Sequence, residues 1–135
     1  MRKLLLLLLC VPLIGFGQTK QELKEQLNKK LSEVSNEINK SCPMVLDECT
    51  TINTTYGGMG MIKYMVTFDP NCLTRLEMSS LNEWEIYQTL SLKNNFCTDP
   101  SFQTFRDFGV KMIWRYQDPY GKFITKIELT DEDCQ

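Results

Sequence analysis

Val110, Met112, Trp114 and Tyr116 alternate with other residues along one stretch, and Phe123, Thr125, Ile127 and Leu129 do so along the next. A period of two is strand geometry. Between the runs lies Asp118-Pro119-Tyr120-Gly121, with Asp at i, Pro at i+1 and Gly at i+3 of a type I turn, so residues 110–129 predict a β-hairpin. Both strands must offer their apolar side chains to one face. Pairing Tyr116 with Phe123, Trp114 with Thr125 and Met112 with Ile127 achieves this, whereas a one-residue slip would set Trp114 beside Lys126 and bury charge. The turn alone favours the slipped, three-residue loop with Gly121 as a bulge. Burial outweighs the preference of the turn, and the in-phase register is expected.

Upstream, Thr19 and Glu22 form a capping box, and Leu23, Leu27, Leu31, Val34 and Ile38 follow at spacings of three and four. They predict an amphipathic helix ending near Lys40, before Pro43. Its stripe is narrow, so it needs a larger apolar surface, and the sheet is the expected partner; shortness and a polar face of mixed charge disfavour a coiled coil or a membrane-surface helix. Residues 44–55 suit a strand, residues 56–60 a glycine turn, and Ile62, Tyr64, Val66 and Phe68 alternate until Asp69-Pro70, which gives a second hairpin. Residues 71–79 fit no single element. Ser80 with Glu83 opens a helix carrying Leu81, Trp84, Tyr87 and Leu90 towards Asn95, and Asp99-Pro100 opens a short one that holds Phe102 and Phe105 and stops at Gly109. The order predicts an α+β domain over residues 18–135: an N-terminal amphipathic helix and two β-hairpins forming a roughly four-stranded antiparallel sheet, with one or two helices between the hairpins and helices mainly on one face.

Residues 1–17 change the picture of where the domain works. Met1-Arg2-Lys3, the apolar run from Leu4 to Ile14 and Gly15-Phe16-Gly17 read as a secretory signal peptide cleaved before Gln18, so the chain is expected to be exported, periplasmic or secreted. The apolar run is shorter than the ~18 to 20 residues that cross a bilayer, and no transmembrane helix is expected after cleavage. Lipidation of Cys10 is disfavoured, because Leu9 is not the small residue such processing wants and only six apolar residues precede the cysteine. Net charge is −2, and −4 once Arg2 and Lys3 are gone, with no long basic run. That disfavours nucleic acid and anionic membrane surfaces as partners.

Five cysteines then remain, and in an oxidising compartment, with no histidine and no C-x-x-C pair, disulfides are expected rather than a metal site. The short helix after Asp99 runs out and the first strand of the last hairpin runs back. The chain before that helix and the chain after the second strand therefore come close, which predicts a bridge from Cys97 to Cys134. Cys49 and Cys72 flank the first hairpin and are the second expected pair, leaving Cys42 as the free thiol.

The C-terminal third, with Cys97, Gly109-Val110, Trp114-Arg115-Tyr116, Asp118, Gly121-Lys122, Ile124, Ile127 and Asp133-Cys134, resembles the end of small bacterial secreted or periplasmic domains that are themselves uncharacterised. The resemblance implies a fold and no activity.

The candidate chemistry is sparse. Absence of histidine removes the usual general base, the commonest transition-metal ligand and every Ser-His-Asp or Cys-His arrangement, and no phosphate-loop, dinucleotide or nucleophile-elbow motif occurs. Asp47-Glu48 and Asp131-Glu132-Asp133 are adjacent carboxylates without a sign of convergence, and read as a solvated loop and tail. Met59, Met61 and Met65 are thioethers of the kind that hold Cu(I), weighed against methionine as an ordinary core filler. Cys42-Pro43 lacks the resolving cysteine of a thiol oxidoreductase. Trp114 reads as core, while Tyr56 and Tyr120 in turns read as exposed; Asn53-Thr54-Thr55 is a glycosylation sequon that matters only in a eukaryotic secretory pathway. Two classes stand: a small exported non-enzymatic domain, without cofactor, that binds a protein or envelope component, or a small periplasmic enzyme using carboxylates or a thiol, with Cu(I) binding as a further alternative.

Overall fold

The computed structural model describes residues 19–135. The expected signal peptide, its cleavage site and Cys10 lie outside the described residues. Thr19 caps helix α1 (Lys20–Asn39): its hydroxyl accepts from the Glu22 N–H at 3.2 Å, and the Glu22 carboxylate accepts from the Thr19 N–H at 3.4 Å. The chain continues through β1 (Met44–Val45), β2 (Thr50–Gly58), β3 (Met61–Phe68), a 3-10 turn (Pro70–Leu73), α2 (Leu81–Thr98), a second 3-10 turn (Pro100–Phe102), α3 (Gln103–Asp107), β4 (Lys111–Gln117), β5 (Phe123–Leu129) and a last 3-10 turn (Asp131–Cys134).

The fold class is α+β, and the strands lie in sequence order in one sheet of five. In the number and direction of the strands, two details differ from the sequence expectation. The stretch 44–55 is not one strand: Leu46 donates to Thr50 O at 2.9 Å and the Asp47 carboxylate takes the Cys49 N–H at 2.7 Å, which folds residues 46–50 into a tight turn and separates a short β1 from β2. The sheet is also not wholly antiparallel, because β3 and β4 pair in parallel in register Ile62 with Met112, Tyr64 with Trp114 and Val66 with Tyr116. Parallel neighbours need a long crossover, and the segment carrying α2 and α3 supplies it.

The last hairpin reconciles turn and burial rather than choosing between them. Next to the turn, Gln117 pairs with Phe123, the phase that the turn prefers, with Gly121 in the left-handed region at φ 84°; a bulge between Tyr116 and Gln117 then resets the ladder to Tyr116 with Thr125, Trp114 with Ile127 and Met112 with Leu129. The expected register was therefore two residues out beyond the bulge, although it put Trp114 and Tyr116 on the correct face. Phe123 leaves that face, is 51% exposed, and lies under the Arg115 guanidinium at 5.1 Å.

α1 and α2 both pack on the face carrying Ile62, Val66, Phe68, Met112, Tyr116, Ile127 and Leu129, which are buried. Gly57 explains how α1 gets so close. It was expected in a turn but lies in β2, and a Cβ there would sit well inside van der Waals contact with the Leu31 carbonyl, so the helix backbone rests on bare strand. Nearby, the Asn39 side chain accepts from Thr55 N at 2.7 Å and donates to Thr55 O at 2.9 Å, closing the edge of β2 that β1 is too short to cover. Gly57→Ala is expected to cost about 3 kcal/mol, because the clash is with backbone and one of the two elements must move. Denaturant unfolding checks this, and a loss under about 1 kcal/mol would mean that α1 does not lie on β2 at Gly57.

The sulfurs of Cys49 and Cys72, and those of Cys97 and Cys134, lie at bonding distance, with Cα separations of 5.9 and 5.3 Å, and Cys42 stands unpaired and half-buried.

Candidate functional site

Every fourth residue of α2 from Trp84 faces the sheet: Trp84, Gln88, Leu92 and Phe96. The two ends of that row are large aromatics and the middle is not. Trp84 stacks on Phe68 with ring centroids 4.1 Å apart and meets Tyr116 edge-on at 5.0 Å, filling the space between helix and sheet, and Phe96 packs in the core at the other end beside Phe102, at 5.9 Å. Between these props α2 spans an open groove of about 470 Å³. Ile52, Tyr64, Val66, Met112 and Trp114 form its floor, Gln88, Leu92 and Asn95 one wall, and Leu46 and Thr50 the other rim. A second depression of about 450 Å³, lined by Leu76, Tyr87, Trp84 and the Glu48–Arg75 ion pair, shares Thr50 and Gln88 with the first, so the two lie end to end along α2.

Polar contacts hold the helix at this height. Gln88 donates to the Tyr116 hydroxyl at 2.8 Å and the Thr125 hydroxyl donates to the Glu85 carboxylate at 2.6 Å. Beyond the groove the buried Arg106 donates to the carbonyls of Phe96 and Asp99 and to Gln103 Oε1, fastening the last turn of α2. Trp114, expected in the core, is half-buried and lies flat on Tyr64 with centroids 5.7 Å apart, so one of the two tryptophans props the site and the other floors it.

Burial pushes the Tyr64 hydroxyl up to about 12 and does the same at Tyr116, where the Gln88 bond works against it. An unfolded tyrosine loses its proton near 10.0 while these two keep theirs, so stability present below pH 10 is lost as pH rises through about 12. In an alkaline absorbance titration two of the five tyrosines are expected to stay protonated until the chain unfolds. Ionisation of all five in a still-folded chain would contradict the packing of the groove floor.

Other candidates from the sequence are not brought together. Met61 and Met65 share a sheet face four residues apart, about 13 Å along a strand, and Met59 is 75% exposed in the turn beyond. Asp47 is spent on the Cys49 N–H, Glu48 on Arg75, and Asp133 on the Thr130 N–H at 2.8 Å. Among the described residues no group of three or more His, Cys, Asp or Glu is placed to hold a metal ion. The Cys42 thiol is pushed up by burial, the opposite of an activated thiolate. Tyr56 lies in β2 rather than a turn and is 51% exposed, Tyr120 is 95% exposed at the hairpin tip, and neither lines the groove. Leu46 and Phe96 had no signal in the sequence. Only α2 as a whole carries one, because Leu81, Ile86, Tyr87, Leu90 and Leu92 go all round a helix that buries only Trp84 and Phe96.

No family model and no curated protein matches the chain. Its fold recurs in solved structures at low identity. A secreted-protein candidate from Pseudomonas aeruginosa superposes with a TM-score of 0.71 at 11% identity, over 88% of this chain and 100% of that one. The pilotin EpsS of the Vibrio vulnificus type II secretion system gives 0.70 at 15% identity, over 86% and 98%, and the type II secretion pilotin AspS of Vibrio cholerae gives 0.64 at 14%, over 84% and 97%. At these identities the likeness is one of fold.

Proposed function

We propose that the chain is an exported, non-enzymatic module that binds a protein of the cell envelope by taking an apolar segment of it into the groove under α2. The observation that carries this reading is the groove itself: an open, largely apolar floor held apart by two aromatic props, with apolar side chains continuing outward, where Tyr87 and Leu90 are 59% and 62% exposed. Apolar surface left uncovered around a site of this kind is what protein interfaces use. The N-terminal leader and the two cysteine pairs support export. The fold shared with a secreted-protein candidate and with pilotins of type II secretion systems supports an envelope role.

Affinity capture from the envelope, run beside Leu92→Asp and Trp114→Ala, tests the reading. The same protein is expected on the wild-type chain and on neither variant while both stay folded. Equal capture by all three would overturn the groove as the site.

A further inference from the structure

Alternation along three strands assembles a surface that no single stretch of sequence displays. The face of the sheet away from α1 and α2 carries Lys63 from β3, Lys111 and Arg115 from β4 and Lys126 from β5, against one strand carboxylate, Glu128. Register makes them neighbours: Arg115 lies between Met65 and Lys126, and Ile113 between Lys63 and Glu128. Glu128 is shared by Lys126 at 3.0 Å and Lys111 at 3.7 Å. Among the described residues Lys63 and Arg115 make no ion pair. The chain as a whole carries a net charge of −2, so these cations are concentrated on one face against the overall sign.

We propose that this face lies against an anionic lipid surface. The four cations span about 10 Å across three strands and about 13 Å along β4, an array spread over a plane rather than a line, and so suited to a field of lipid phosphates more than to a single acidic strand. Met61, Met65 and the exposed Phe123 are interleaved with them, which gives the face apolar side chains to enter the headgroup region while the basic stems reach the phosphates. The absence of a basic run hid this surface, because alternation places Lys111 and Arg115 on one side of β4 and Trp114 and Tyr116 on the other. The groove opens on the opposite side of the sheet, so lipid and protein partner can be held together, although the lipid contact does not depend on the groove reading.

Co-sedimentation of the chain from residue 18 onward, which includes every described element, is measured with vesicles of phosphatidylcholine alone and with vesicles containing phosphatidylglycerol. Binding is expected only to the second and is expected to fall steeply with added salt. Each basic residue near such a surface contributes about fivefold, so Lys63→Gln with Arg115→Gln is expected to weaken partitioning roughly 25-fold. Lys24→Gln with Lys29→Gln, both exposed on α1, is expected to leave it unchanged. Equal binding to both vesicles, wild-type partitioning of the Lys63/Arg115 variant in folded form, or retention on poly-glutamate without vesicle binding would each overturn the proposal.

Discussion

Trp84→Ala is expected to cost about 3 to 5 kcal/mol of stability and to abolish partner binding with it. Trp84 is 3% exposed and fills the space between α2 and the sheet, with Phe68 stacked on one side and Tyr116 meeting it edge-on. Truncation removes the large apolar contact and leaves a cavity that α2 cannot close without sliding, because Gln88 and Glu85 fix its height over Tyr116 and Thr125. Trp114→Ala is the informative contrast. Trp114 is half-buried on the groove floor, so the same change there is expected to cost about 1 to 2 kcal/mol, chiefly the stack on Tyr64, while binding is lost in a folded protein. Urea unfolding of the two variants separates the roles. Equal costs would put both tryptophans in the core and remove Trp114 from the site.

The second large effect is expected at the C-terminus. Replacing Cys97 and Cys134 together with serine is expected to cost about 3 to 4 kcal/mol, the chain-entropy value for closing 37 residues. For a domain whose whole stability is about 5 to 15 kcal/mol, that is a large share. The loss has a structural address: Cys97 ends α2 and Cys134 closes the turn after β5, so the bridge ties the groove's helix to the edge of the sheet. Peptide mapping without reduction decides the pairing. Cys97 linked to any residue but Cys134 would contradict it, and a peptide joining Cys42 to Cys49 would contradict the pairing of Cys49 with Cys72.

What could be read from the sequence was whatever is decided within a few residues. Thr19 and Ser80 as caps, Asp99-Pro100, the left-handed Gly109 and the alternation of Ile62, Tyr64, Val66 and Phe68 are local choices, and they stand in the structure. Pairing between distant segments was less legible. Nothing near Ile62 says that Met112 lies beside it in parallel, and nothing near Gly57 says that α1 crosses there, so the glycine read as turn chemistry rather than as room for a helix. Trp114 shows why the site itself was hidden: its strand face was assigned correctly, but whether that face is covered depends on the side chains that α2 presents above it. Gln88 and Leu92, being smaller than Trp84 and Phe96, leave it open. The bulge beside Gln117 had the same origin, since turn chemistry and burial each pointed to a register and the chain used one residue to satisfy both.

Binding in the groove is tested most directly by site-specific photo-crosslinking in the cell envelope, with the photoreactive side chain placed at Leu92 in the groove wall and, separately, at the exposed Lys24 of α1, which does not line the groove. A discrete protein is expected to be crosslinked from position 92, to be absent from position 24, and to be suppressed when Trp114→Ala is added. A partner crosslinked from position 24 but not from position 92 would contradict the groove as the binding site.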